Sequence, residues 1–68
     1  MGGNMALKAA RAFKGVSQTD MARATGMSLT SYNSKENGKG SFSVKEVRQI
    51  ASKLQLTPKE VMSIFFTY

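Results

Sequence analysis

The chain has 68 residues, ten Lys and Arg against four Asp and Glu, and a net charge of +6 with no histidine and no cysteine. That inventory excludes a disulfide framework and a thiolate metal site, and it removes the usual general base, thiol nucleophile and zinc ligands. We therefore expect no enzyme, no metal and no cofactor. No apolar run approaches the length of a membrane span, and Met1-Gly-Gly-Asn-Met5 lacks the apolar stretch of a signal peptide. A charge of +6 on so small a chain points to an anionic partner, nucleic acid first and anionic membrane second. The bases are dispersed rather than gathered in a tail, so folding must assemble any binding face. The length fits one domain over 1–68, with its ordered core at 5–65.

Helical periodicity runs through the whole sequence. A first helix is expected over 4–13, with Met5, Ala6, Ala9, Ala10 and Phe13 along one side and Gly15 stopping it. Met1-Gly-Gly-Asn-Met5 reads as an expression leftover or a frayed end. Ser17 can cap a second helix over 18–25, with Asp20 in the first turn where the helix dipole favours negative charge. Gly26 supplies the left-handed conformation that ends it. Ser28 caps a third helix over 29–36, and Asn37-Gly-Lys-Gly40 is the clearest loop. Ser43-Val-Lys-Glu46 is a capping box opening a fourth helix over 44–54, with Val44, Val47, Ile50, Ala51 and Leu54 on one face. Thr57-Pro-Lys-Glu60 is another box, strengthened by Pro58 at the first helical position. It opens a last helix over 58–65 bearing Val61, Met62, Ile64 and Phe65. No window alternates as a strand does, so the fold class is all-α, five short helices without a linker or a repeat.

The second and third helices, joined at Gly26, have the form of a helix-turn-helix. Ala22 lies where the helices press together, and Met21, Met27 and Tyr32 point toward the core. The five methionines are most simply gap-fillers, and the offset of Tyr32 makes it core rather than a base-stacking ring. The sequence resembles the Cro/repressor-type (phage Cro/CI-like, XRE-like) helix-turn-helix family. The matching residues are Ser17-Gln18, Met21-Ala22, Gly26-Met27-Ser28, Glu36-Asn37-Gly38, then Ile50-Ala51, Leu54 and the 56–62 stretch. The resemblance implies a compact five-helix, lambda-repressor-like domain that binds double-stranded DNA.

The resemblance also implies roles for named residues. Gln18 would contact a phosphate and a first base, and Ser28, Leu29, Thr30, Asn33 and Ser34 would face base edges. Ser17, Lys35, Asn37 and Lys39 would meet phosphates. Arg11 and Glu36 match a pair that forms an interior salt bridge in relatives, with Arg11 facing solvent or DNA as the alternative. The chain departs from several relatives in its third helix, where short polar residues and a leucine replace glutamines or arginines. None of these can grip guanine bidentately, so shape and water would share in recognition. Lys35 stands where relatives often carry an apolar residue, and Thr25 is also more polar than usual.

Phe65-Phe66-Thr67-Tyr68 is the unusual feature. It is either a frayed tail or, with Met62, Phe65, Phe66 and Tyr68, a dimer contact. The expectation is a stand-alone transcription regulator acting as a Cro-like phage or prophage repressor by operator occupancy. It would bind a near-palindromic operator as a homodimer in the cytoplasm of a bacterial host, associated with the nucleoid. The alternative is a protein-interaction module, a modulator or antitoxin-type protein that binds another regulator. A membrane role is disfavoured, because no helix combines a basic face with a broad aromatic one.

Overall fold

Each helix of the chain starts at a side-chain cap. Asn4, Ser17, Ser28, Ser43 and Thr57 all have extended backbone, and each side-chain oxygen accepts from the backbone N–H three residues on. The computed structural model describes residues 4–66. The helices that follow these caps are α1 (Met5–Phe13), α2 (Gln18–Thr25), α3 (Leu29–Glu36), α4 (Val44–Leu54) and α5 (Pro58–Phe65). Among the described residues there is no strand, so the fold is all-α. The boundaries of α2 to α5 equal those expected from the sequence. The capping boxes at Ser43/Glu46 and Thr57/Glu60 are formed, and Ser17 and Asp20 form a third.

Four helices also end alike. An N–H two or three residues past the last helical residue bonds back to a carbonyl five residues earlier: Val16 to Arg11, Met27 to Ala22, Lys39 to Ser34 and Leu56 to Ala51. The residue before each donor has positive φ: Gly15, Gly26, Gly38 and Gln55. These are Schellman ends, which satisfy carbonyls that the helix itself leaves open. Val16, Met27 and Leu56 then pack against the core. The turn at Gly26 thus fixes the exit of α2 and tucks Met27 inward at the same time.

Leu7, Met21, Ala22, Tyr32, Ile50 and Leu54 are buried and form the core, with Phe42, Ile64 and Phe65 against it. α2 packs on α3 and α4, while α5 contacts α1 and α4. Two expected faces are corrected. In α1, Met5 and Phe13 are 71% and 87% exposed, and the inward residues are Leu7 and Ala10, beside the partly buried Arg11. The ion pair of Arg11, described below, turns this helix so that Phe13 faces out. In α4, Val44 is exposed, and Val47, Ile50 and Leu54 make the inward stripe. Phe42, in the loop before α4, supplies a ring instead; it lies 5.7 Å from Tyr32 and 6.1 Å from Phe65.

Asn4 is also corrected, because it is neither frayed nor helical. Its side chain accepts from Leu7 N and donates to the Ile64 carbonyl at 3.0 Å, and its backbone N–H donates to the Glu36 carbonyl at 2.9 Å. One residue therefore ties the start of α1 to the ends of α3 and α5.

Candidate nucleic-acid interface

The caps and the Gly26 turn set α2 and α3 against each other, and a polar cluster fills the seam between them. Glu36 is fully buried at the end of α3. Its Oε2 accepts from Arg11 Nε at 2.9 Å and from Tyr32 Oη at 2.8 Å. Its Oε1 accepts from Gln18 Nε2 at 2.9 Å and Arg11 Nη2 at 3.2 Å. Arg11 further donates to the Val16 carbonyl, so the guanidinium also secures the exit of α1. Burial alone would push the Glu36 carboxyl up, but the hydrogen bonds from Arg11, Gln18 and Tyr32 outweigh it and hold the group below its ordinary range. Desolvation, and the bond to Glu36, push the Tyr32 phenol well above its ordinary value.

The cluster continues toward the surface. Asn33 Nδ2 donates to Gln18 Oε1 at 2.9 Å, and Asn37 Nδ2 donates to Asn33 Oδ1 at 2.8 Å. Gln18 and Asn33 are thus not freely rotating side chains, and Asn33 is engaged at both ends of its amide. Along the rest of α3, Leu29, Thr30 and Ser31 are exposed and Ser34 is partly so. Ser28 and Ser17 are exposed caps whose oxygens accept backbone N–H bonds, which leaves each hydroxyl proton for an outside acceptor. Lys39 is exposed just past α3, and Asn37 is half-buried at its end.

Lys35, expected at a phosphate, is engaged within the chain. Its Nζ lies 2.9 Å and 3.2 Å from the two carboxylate oxygens of Glu46. This ion pair joins α3 to the start of α4, and Glu46 is simultaneously the capping-box partner of Ser43. The Ser43 backbone N–H, then Lys35, hold the Glu46 carboxyl below its ordinary range. Thr25, buried, satisfies its hydroxyl on the Met21 carbonyl at 2.8 Å.

The expected dimer residues separate into two groups. Met62 and Phe66 are 58% and 50% exposed, whereas Phe65 is edge-on to Phe42 and belongs to the interior. Tyr68 lies outside the described residues. Beside Phe66 is an open groove of about 480 Å³ whose walls include Phe42, Val44, Val47 and Arg48. Sequence reasoning missed Ser31, the Tyr32–Glu36 bond and the Asn33–Asn37 bond. The last two are i, i+4 pairs that helical spacing offers.

A capped helix, a glycine turn and a second helix with an exposed polar face define a helix-turn-helix protein. The helix-turn-helix family profile matches residues 7–61, and the chain belongs to that family. The family makes it a DNA-binding transcription regulator rather than an enzyme. Among solved structures, the chain is similar to the restriction-modification controller protein C.AhdI from Aeromonas hydrophila. The two share 26% identity with a TM-score of 0.75, over 85% of this chain and 88% of that one. No curated protein sequence matches the chain at a significant level. Among the described residues no helix is long and apolar enough to cross a membrane.

Proposed function

We propose that the protein binds a near-palindromic operator as a homodimer and regulates transcription by occupying it, as a Cro-like repressor does, in the bacterial cytoplasm. The observation that carries this reading is the short-polar face of α3, exposed immediately beyond the Ser28 cap, within a helix-turn-helix family match. In the major groove, Leu29, Thr30, Asn33 and Ser34 would meet base edges, with Leu29 suited to a thymine methyl and Asn33 to adenine. Ser28 and Gln18 stand at the N-termini of α3 and α2, where backbone N–H groups favour phosphate. Ser17, Asn37 and Lys39 complete the phosphate contacts, with Lys35 joining them where DNA draws it from Glu46. Half-sites would lie about 34 Å apart, one per protomer.

Similarity to a restriction-modification controller protein supports control of a restriction-modification unit as the alternative to a phage role. Both roles share operator occupancy, so the decisive experiment is the same. Binding is measured to random duplex DNA and to DNA flanking the protein's own gene across a salt series. Tighter binding to the flanking DNA, with log affinity falling steeply against log salt, is the expected result. Absence of binding to both DNAs at low salt overturns the reading and favours a module that binds another regulator. A reporter placed downstream of the bound site should lose output as protein rises. A gain in output removes the repressor role and keeps DNA binding.

A further inference from the structure

Glu36, Gln18, Asn33 and Asn37 are joined end to end by three hydrogen bonds of 2.8–2.9 Å. The two ends of an amide are nearly the same shape, so an isolated glutamine or asparagine presents either one. A carboxylate only accepts. Beside Glu36, therefore, only the nitrogen of Gln18 fits, which turns its oxygen to Asn33. That oxygen in turn demands the nitrogen of Asn33, whose own oxygen then faces Asn37. The polarity runs one way from the buried carboxylate to the surface. Turning Asn33 over would break two hydrogen bonds and set like ends together.

We propose that Glu36, buried beyond the reach of DNA, is a positioning residue for base recognition. Its carboxylate fixes which end of Asn33 lies toward α2 and which toward Asn37, and hence which orientation of an adenine edge α3 accepts. Asn33 keeps one N–H and one lone pair free of the chain, the complement of adenine N7 and N6. This rests on the reading of α3 as the groove helix.

Two variants at the half-buried outer end separate polarity from packing. Asn37→Ala removes the last amide and leaves the anchor at Glu36. Asn37→Asp also leaves that anchor and places a second acceptor-only group at the outer end; Asn33 keeps its nitrogen on Gln18, and the new carboxylate turns to water. Glu36→Gln, with folding checked by circular dichroism, replaces the acceptor-only anchor by an amide that either end of Gln18 can meet. In the free protein, the side-chain N–H signals of Gln18 should stay in place in N37D and shift or split in Glu36→Gln, together with those of Asn33. Selection from randomised duplexes should return one sequence for wild type, N37A and N37D. Glu36→Gln should relax one position per half-site, by roughly tenfold in preference. The added negative charge of N37D weakens all sequences alike and does not imitate that change. Unmoved Gln18 and Asn33 signals and an unchanged preferred sequence in folded Glu36→Gln overturn the inference alone. Failure of the wild type to select any sequence overturns the groove-helix reading as well.

Discussion

Glu36 and Thr25 are both buried and polar, and they should respond oppositely to substitution. The carboxylate of Glu36 receives four donors from three residues, one of them the guanidinium of Arg11. Glu36→Ala leaves that cation without its counter-charge and the Tyr32 hydroxyl without its acceptor, and the loss expected is about 3–5 kcal/mol. Urea unfolding checks it, and a stability within 1 kcal/mol or so of wild type would contradict the buried pair. The Thr25 hydroxyl instead bonds a carbonyl of its own helix, which already has a helical partner. Thr25→Val keeps the shape and strands nothing, so we expect a change below about 1 kcal/mol. Lys35 shows why some residues are opaque in the sequence. Its partner Glu46 is eleven residues on, across a loop, and Glu46 is already explained by the Ser43 cap. The resemblance offers phosphate as the anion for a lysine at the end of α3, and only the path of the 37–43 loop brings Glu46 to it.

At the scale of the element, helix starts were legible because one residue and its third neighbour specify a cap. The ends were legible where a glycine stands past the helix, as at Gly26. The inward face of α1 was not legible. Its apolar residues surround the helix, and the partner that orients it, Glu36, is 25 residues from Arg11. Gln55 is the informative exception among the ends. It takes the glycine role at φ 54°, and Leu56 still tucks into the core behind it. Left-handed backbone costs an L-residue about 1–2 kcal/mol relative to glycine. Gln55→Gly should therefore stabilise the protein, by about 0.5–1 kcal/mol after the added freedom of the unfolded chain. Gly26→Ala is the converse. A Cβ there meets no atom within 4 Å, so any loss is backbone strain alone, about 1–2 kcal/mol. Thermal melts of both variants should move in opposite directions by several degrees. A neutral Gly26→Ala would mean that the turn between α2 and α3 relaxes without cost.

Over the whole molecule, each acidic side chain is taken up by bonds of its own, three of them at helix caps and Glu36 in the interior. All four carboxyls are held below their ordinary ranges: Asp20 by the Ser17 hydroxyl, Glu46 and Glu60 by the backbone N–H of their caps, Glu36 by Arg11, Gln18 and Tyr32 against burial. The unfolded chain then binds more protons than the folded one in acid. The stabilisation is complete above the unfolded carboxyl values, about 4–4.5, and is lost as pH falls through the lower folded ones. With no histidine to titrate, the melting temperature should be flat between about pH 5.5 and 8 and drop below about pH 4. A maximum at acid pH would contradict the carboxylate bonds. Dimerisation belongs to the same scale. A standard interface takes about 800 Å² from each partner, a large share of a chain with 4568 Å² of surface. The exposed apolar surface on offer, Met62, Phe66 and Val44 beside the groove, is a smaller patch. Under the proposed homodimer, that mismatch predicts a weak dimer in free solution, tightened when two half-sites hold the protomers together. Met62→Ser with Phe66→Ser removes the patch without altering charge, so the salt dependence per protomer should persist. Sedimentation should then show monomer with unchanged helicity. Affinity for a two-half-site operator should fall about 10²-fold, while affinity for a single half-site stays within about twofold. Equal losses on both DNAs would place these side chains in the fold or the DNA contact rather than between protomers.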